Sequence, residues 1–303
     1  MKFVFFGNHL YGHHSLQALL RAGFRPSLVI TNIPRTNENI WYPSVAELAV
    51  QHGIDVERIN IVSGVEAFRE MILKLKPDLF IVSSFRNILD NKLLSLPKLG
   101  AINLHMAPLP KYRGAHPENW AIINNEKTMG FTVHYLDEGI DTGDIIVQSE
   151  IPILPEDDIL TLTFKLAEKA PELLVKVLKD FEMIKLQRKP QNESMKSFFP
   201  PRKQEDGLID WKKKSIEIYN LVRALARPYP GAFTFIKGKK VTILRTKQII
   251  SDKEKFDCGK IVGVSGEGIT VGTGDGKILI REWCCDEGTF PDNSKGLNFE
   301  QIK

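Results

Sequence analysis

VEAFREMILKLKPDLFIV, residues 65–82, places a helix-like segment directly before a short, continuous apolar run. Residues 65–75 have apolar side chains at helical spacing, and residues 79–82 have the uninterrupted apolar character of a strand that is buried on both faces. The same alternation recurs through the first two-thirds of the chain. Further strand-like runs occupy residues 3–6, 28–30, 101–104 and 131–136, and further helix-like segments occupy residues 15–22 and 44–51. This pattern predicts an α/β, Rossmann-like domain on a parallel sheet, with functional residues on loops at the carboxyl ends of strands.

The length of 303 residues favours two domains, because single cores stop growing efficiently near that size. Residues 188–203 contain three prolines among polar neighbours and are predicted to be a linker. One helix-like segment and five short strand-like pieces with glycine turns follow, which predicts a small, β-rich, OB-like barrel. The predicted domains are therefore 1–187 and 204–303, on either side of that linker.

Composition and targeting signals exclude several classes of protein. The chain is 43% hydrophobic and 26% charged, as expected for a globular protein rather than a disordered one. Its three cysteines are too few and too irregularly spaced for a disulfide framework or a closed zinc site. No signal peptide and no apolar stretch of about twenty residues is evident. We therefore expect a cytoplasmic protein with no membrane partner.

Charge is unevenly distributed along the chain. The net charge is only +4, but the segment from Lys185 to Lys260 contains 19 lysines and arginines against 8 acidic residues. A basic segment of this kind is typical of proteins that bind nucleic acid.

Polar side chains gather around one predicted strand and one glycine-interrupted loop. Asn103 and His105 are two residues apart at the end of an apolar run, so both point to one face. Asp137, Asp141 and Asp144 follow a second strand, and we expect them at the same edge of the sheet. An amide, an imidazole and a carboxylate make a reasonable acid–base site. The spacing alone leaves open that His105 is only structural.

Other chemistries have weaker support in the sequence. His105, His116, His134 and the aspartates lack the helical spacing of common zinc motifs, so no metal is predicted. We interpret His134 as a cross-strand packing residue. The chain has neither a phosphate-binding P-loop nor a G-x-S-x-G elbow. A non-catalytic nucleotide- or RNA-binding module stays open as an alternative.

Two motifs resemble a known signature. INLHMAPLPKYRG (residues 102–114), followed by DEGIDTGDI (137–145), is similar to the signature of the folate-dependent formyltransferases. This family includes methionyl-tRNA, glycinamide ribonucleotide and bacterial sugar N-formyltransferases. IDW (209–211) and NLVRALARPYPGAF (220–233) resemble the start of the C-terminal domain that the tRNA and sugar enzymes share. The resemblance implies transfer of a formyl group from 10-formyltetrahydrofolate to an amine.

The resemblance also implies roles for particular residues. The family's catalytic asparagine, histidine and aspartate fall on Asn103, His105 and Asp141. Asn103 and His105 would donate hydrogen bonds to the developing oxyanion, and Asp141 would favour the protonated imidazole. The folate-binding loops of the family correspond here to Asn87, Ile88 and Leu89 and to Asp137, Glu138, Gly139, Ile140 and Asp141.

The identity of the acceptor depends on the loop after the second strand. Glycinamide ribonucleotide enzymes usually have one domain, which argues against that acceptor. The tRNA enzymes carry a glycine- and lysine/arginine-rich insertion in this loop, whereas residues 31–44 (TNIPRTNENIWYPS) have Arg35 as their one basic residue and no glycine. We therefore predict a UDP- or dTDP-linked amino sugar as the acceptor, in surface polysaccharide or glycan biosynthesis such as that of lipopolysaccharide O-antigen. Methionyl-tRNA formylation is the alternative, and a tRNA partner is disfavoured.

Candidate acceptor-binding residues are Trp41, Tyr42, Lys111, Tyr112 and Arg113. Exposed strand edges in the C-terminal domain are consistent with a homodimer.

Overall fold

The computed structural model describes residues 1–60, 64–184, 187–249, 256–286 and 295–300. The chain separates into two compact units, each built from more than one stretch of sequence. The first unit comprises Met1–Pro117, Thr128–Pro152 and Thr163–Phe199, and the second comprises Glu118–Lys127, Ile153–Leu162 and Pro200–Lys303. The domain limits predicted at residues 187 and 204 stay a prediction.

The first unit is organised around a seven-stranded mixed sheet in the order β3-β2-β1-β4-β5-β7-β8. Its strands are β1 Phe3–Gly7, β2 Leu28–Asn32, β3 Val56–Ile59, β4 Leu79–Ser83, β5 Ala101–His105, β7 Thr128–Tyr135 and β8 Ile145–Pro152. Strands β3 to β5 in this order are parallel, whereas β7 runs antiparallel to both β5 and β8. Every residue of β1, β2 and β4 is buried, as expected for parallel strands covered on both faces.

Helices and one short pair of strands accompany this sheet in the first 199 residues. The helices are α1 His9–Arg21, α2 Val45–Gln51, α3 Glu66–Leu75, α4 Asn91–Leu94, α5 Pro117–Ile123, α6 Ile159–Lys179 and α7 Phe181–Ile184. Strand β6 (Arg113–Gly114) pairs in parallel with β9 (Phe198–Phe199). Strand β9 lies within the segment that was predicted to be a linker, so part of that segment joins the first unit.

The second unit contains helix α8 (Ser215–Ala224) and a five-stranded antiparallel sheet in the order β10-β11-β14-β13-β12. The strands are β10 Ala232–Ile236, β11 Lys239–Ile249, β12 Ile261–Ser265, β13 Gly268–Thr273 and β14 Gly276–Cys285. Trp211 is fully buried in its core, stacks on Phe299 at 5.1 Å between ring centroids, and donates a hydrogen bond to Thr234. The predicted fold class, a Rossmann-like domain followed by a small β-rich domain, is confirmed.

Two strands of the first sheet escaped prediction because they lie largely exposed and lack the continuous buried run of the central strands. Strand β3 reads VERI and is partly exposed throughout, and most residues of β8 are exposed or partly exposed. Within the described residues, no helix combines the length and the apolar character that a bilayer span needs.

Candidate active site

The polar residues of strands β5 and β7 form one continuous group on the sheet. Asn103 lies directly opposite His134 in the antiparallel register, and His105 lies opposite Thr132. Residues that face each other across two strands project to the same side, so Asn103, His105 and His134 share a face. One carboxylate oxygen of Asp141 lies 3.7 Å from Nδ1 of His105 and 3.7 Å from Nε2 of His134. The structure thus brings together Asn103, His105 and Asp141, and it adds His134.

The route by which Asp141 reaches this group differs from the prediction. Because β7 runs antiparallel to β5, its loop starts beside the beginning of β5, where the Leu136 amide donates to the Ala101 carbonyl at 2.8 Å. The expectation that the three loop aspartates share one sheet edge with the end of β5 was therefore wrong. The loop must return across the sheet face to place Asp141 beside His105.

The other two aspartates of the loop have structural partners. The carboxylate of Asp137 accepts hydrogen bonds from the Gly139 amide at 3.1 Å and from the Thr142 hydroxyl, which shapes the turn. A Cβ on Gly139 would lie 2.0 Å from that hydroxyl oxygen, so a larger residue there would displace the Thr142 side chain. Asp144 pairs with Arg188 at 3.5 Å in an exposed position.

Asp141 is held in a restrained conformation with its charge compensated. Its φ is +55°, in the left-handed region that non-glycine residues seldom adopt. The Gly114 amide donates to the second carboxylate oxygen at 3.0 Å. Burial alone raises the pKa of Asp141, but the neighbouring His105 and the Gly114 hydrogen bond outweigh it and lower that pKa below its ordinary value. The group is therefore a carboxylate at neutral pH.

His134 orients Asn103, a role that the packing interpretation missed. Its ring is fully buried, with Nδ1 2.8 Å from the Tyr135 carbonyl oxygen and Nε2 3.1 Å from Nδ2 of Asn103. A carbonyl only accepts, so Nδ1 carries the proton and Nε2 accepts from the Asn103 amide. Burial lowers the pKa of His134, and the opposing influence of Asp141 does not reverse this. The ring is therefore neutral, and it leaves the second N–H of the Asn103 amide for another acceptor.

The two loops expected to bind folate present apolar side chains. Ile88 is 69% exposed and Ile140 is 50% exposed, whereas Leu89 is buried. The Asn87 side chain instead bonds within the protein, accepting from Asn32 and donating to the Asn60 carbonyl. Two exposed apolar side chains, one on each loop, can contact the faces of a flat heteroaromatic ring, and the loop backbone can hydrogen-bond its edge. These features suit a pterin.

The loop over residues 33–44 is fastened to its own unit. The Glu38 carboxylate accepts hydrogen bonds from the Tyr42 hydroxyl and from the Arg86 guanidinium. These bonds outweigh the effect of burial and lower the pKa of Glu38, and burial followed by the Glu38 contact raises the pKa of Tyr42 to about 12. The His9 ring contacts both aromatic side chains of this loop, with its centroid 4.0 Å from that of Tyr42 and 5.0 Å from that of Trp41. Burial, reinforced by Arg86, lowers the pKa of His9 to about 4.

The remaining candidate acceptor residues separate into two groups. Lys111 is exposed at the surface. Tyr112 is buried and stacks on Phe199, with ring centroids 5.0 Å apart. The buried Arg113 guanidinium forms hydrogen bonds within the unit. These contacts give Tyr112 and Arg113 structural partners and offer no support for acceptor binding by their side chains.

Within the described ranges, no cluster of three or more histidine, cysteine, aspartate or glutamate side chains has the geometry of a metal site.

Comparison with known proteins identifies the family. Residues 44–178 match the formyl transferase domain, and residues 202–288 match the formyl transferase C-terminal domain. A methionyl-tRNA formyltransferase from Geobacter sulfurreducens is 37% identical over 285 residues, covering 93% of this chain and 88% of that protein. The chain belongs to the formyl transferase family. This confirms the predicted folate-dependent formyltransferase, with 10-formyltetrahydrofolate as formyl donor.

The chain is also similar to formyltransferase relatives that carry other names. A bifunctional polymyxin resistance protein from Wigglesworthia glossinidia brevipalpis is 38% identical over 251 residues, which cover 82% of this chain and 38% of that protein. An N-formyltransferase from Helicobacter canadensis, solved with folinic acid and dTDP-3-aminofucose, is 25% identical. It covers 93% of this chain and 99% of its own, with a TM-score of 0.73. In the present chain, the formyl transferase match begins at residue 44, so the loop over residues 33–44 lies before the matched domain except for its last residue.

Proposed function

We propose that the protein transfers a formyl group from 10-formyltetrahydrofolate to the primary amine of a nucleotide-linked amino sugar. The observation that carries the transfer chemistry is the position of the Asp141 carboxylate, 3.7 Å from a ring nitrogen of His105 and 3.7 Å from one of His134, with Asn103 hydrogen-bonded to His134. The amine adds to the formyl carbon, and negative charge develops on the formyl oxygen. The bond between the formyl carbon and the donor nitrogen then breaks, and tetrahydrofolate leaves with a proton that balances the one lost by the amine. The second N–H of Asn103 and the His105 imidazole would stabilise that charge, and the Asp141 carboxylate would help the amine lose its proton.

The donor would lie between the two loops named above. In this assignment Ile88 and Ile140 contact the faces of the pterin, and the backbone of residues 87–89 and 137–141 supplies its hydrogen bonds. The use of the Asn87 side chain within the protein supports recognition through backbone groups.

The loop over residues 33–44 supports a small acceptor. Its one basic residue is Arg35, and its Glu38 and Tyr42 side chains are bound to Arg86 on the neighbouring loop. A loop tied down in this way suits a substrate that enters a cleft, and Trp41 offers a partly exposed aromatic surface for a nucleobase. The likeness to the Helicobacter canadensis enzyme, solved with a dTDP-amino sugar, supports the same acceptor class.

Methionyl-tRNA is the second candidate, because the Geobacter sulfurreducens tRNA enzyme is 37% identical over most of both chains. For the sugar acceptor, we further propose that the protein is a cytoplasmic homodimer and acts in surface polysaccharide synthesis.

Mass spectrometry separates the two acceptors. The protein is incubated with 10-formyltetrahydrofolate and either a panel of UDP- and dTDP-amino sugars or methionyl-tRNA. We expect a gain of one formyl group on an amino sugar and none on methionine. Formylation of methionyl-tRNA without any modified sugar would reject the proposed acceptor and keep the proposed chemistry.

A further inference from the structure

A buried arginine beside the active site uses its guanidinium to hold a glutamine. Arg113 is only 5% exposed. Its Nη2 donates to Oε1 of Gln191 at 2.7 Å and to Oε1 of Glu193 at 2.6 Å, and its Nε donates to the same glutamine oxygen at 3.1 Å. Since that oxygen accepts both bonds, the orientation of the Gln191 amide is fixed, with its nitrogen directed away from Arg113.

The nitrogen of this amide binds the loop that carries Asp141. Nε2 of Gln191 donates to the Asp141 carbonyl at 2.7 Å and to the Gly143 carbonyl at 2.8 Å. Both amide hydrogens are thereby used on the backbone carbonyls of Asp141 and Gly143, on either side of Thr142. Gln191 is a two-sided brace: its acceptor is held by a buried cation, and its donors hold the loop.

The same stretch of chain also sets the position of the Asp141 carboxylate. Gly114, which donates to that carboxylate, pairs with Phe199 in the register of β6 and β9. The Ala115 amide donates to the Phe199 carbonyl at 3.0 Å. A Cβ on Gly114 would lie 2.3 Å from that carbonyl oxygen, so the approach requires glycine at its φ of +102°.

Asp141 needs such restraint because of its backbone. A non-glycine residue with φ near +55° is uncommon and persists where surrounding contacts over-determine it. Residues 191–199 supply contacts on both sides, through Gln191 to the carbonyl and through Phe199 and Gly114 to the carboxylate. A displacement of about 1 Å in a reacting group can cost about 10²-fold in rate.

We propose that Gln191 is a positioning residue that holds the Asp141 loop in its reactive geometry. This inference rests on the proposed role of Asp141 and extends it to residues 191–199, a segment that lies outside both donor loops and outside the loop over residues 33–44. Because Gln191 holds the loop of the reacting carboxylate and is not itself placed against donor or acceptor, its loss is expected to lower kcat more than it raises KM.

The decisive variant is Gln191→Glu, which keeps an acceptor for Arg113 and replaces the two donors with an oxygen that repels the loop carbonyls. Gln191→Met removes both the acceptor and the donors and keeps a side chain of similar size. The matched control is Glu193→Gln, which alters the other, exposed partner of Arg113 and leaves the loop contacts in place. Turnover is measured with 10-formyltetrahydrofolate and the acceptor that the wild-type protein formylates, and rates are divided by the number of folinic acid-binding sites.

We expect kcat per binding site to fall about 10- to 100-fold in both Gln191 variants, with the KM of donor and acceptor within about 3-fold of wild type. Glu193→Gln should remain within about 2-fold, since an exposed ion pair contributes little. Wild-type kcat in Gln191→Glu, equal loss in the control, or a Gln191 variant that binds no folinic acid would overturn the inference. Asp141→Asn, assayed in parallel, separates the two hypotheses. Full activity of Asp141→Asn rejects the proposed site, whereas an inactive Asp141→Asn beside a fully active Gln191→Glu rejects only the brace.

Discussion

Two loops of the first unit differ in how firmly the protein holds them. The loop that carries Asp141 is held by several hydrogen bonds. The Asp141 side chain is 13% exposed, the Gly114 amide donates to its carboxylate, and the Gln191 side chain donates to its backbone carbonyl. The loop over residues 33–44 is mostly exposed, and Glu38 provides its fastening to Arg86. This difference suggests a division of labour, in which buried contacts fix the geometry of formyl transfer and a surface loop selects the acceptor.

Removing a member of the buried site should have the largest effect. Asn103→Ala and Asp141→Asn are each expected to lower kcat about 10²- to 10³-fold, because each removes a group that stabilises charge in the transition state. Asp144→Asn is the matched control for the aspartate, since it lies in the same loop in an exposed ion pair with Arg188. Steady-state kinetics checks this, and near wild-type turnover in either test variant would remove that residue from the mechanism.

A change at His134 should have the next largest effect, although this residue need not touch the substrate. His134→Phe leaves the Asn103 amide without its acceptor and free to rotate, and we expect kcat to fall about 10²-fold. Folinic acid binding, followed by calorimetry, should change little. An unaltered kcat would show that Asn103 is oriented by other contacts.

Releasing the surface loop should affect acceptor binding rather than the chemical step. In Glu38→Gln the ion pair with Arg86 is lost, and the KM of the acceptor should rise about 3- to 10-fold while kcat stays within about 2-fold. The exposed pair between Glu66 and Arg69 provides the control, Glu66→Gln, which should leave both parameters unchanged. A fall in kcat with unchanged KM would contradict the division between the loops.

Stability should show a smaller effect as pH falls. The folded-state pKa of His9 is lowered to about 4 from an unfolded value near 6.5, so the unfolded chain takes up the proton first. His9 therefore makes the protein less stable as pH falls from about 6.5 towards 4, and its contribution is absent above that range. Urea unfolding at pH 7.5 and pH 5.5 should show a smaller loss in His9→Phe than in wild type. An identical loss in both proteins would mean that His9 titrates normally.

Much of the active site could be predicted from the sequence because its residues lie in local motifs. Asn103 and His105 are two residues apart on one strand, so their shared face follows from strand geometry alone. Asp141 could be assigned only by resemblance, since its approach depends on the antiparallel direction of β7, which no local pattern reveals. The hydrogen bond between Asn103 and His134 was missed for the same reason: it depends on the register between β5 and β7.

Long-range contacts account for the other features that sequence reasoning missed. Gln191 lies 50 residues from Asp141 in a proline-containing segment that has the composition of a linker. Strand β3 was missed because its adjacent charged residues, Glu57 and Arg58, resemble a surface loop, and its assignment depends on pairing with β2. The fastening of residues 33–44 likewise depends on Arg86, 48 residues beyond Glu38.

The most direct test of the proposed division compares one variant from each region under saturating conditions. Single-turnover formyl transfer is followed for His105→Ala and Glu38→Gln with the enzyme in excess over the donor and the acceptor at saturating concentration, alongside the exposed control His52→Asn. We predict a rate about 10²- to 10³-fold below wild type for His105→Ala and rates within about 2-fold of wild type for the other two. A near wild-type rate in His105→Ala, or an equal loss in Glu38→Gln, would contradict the account.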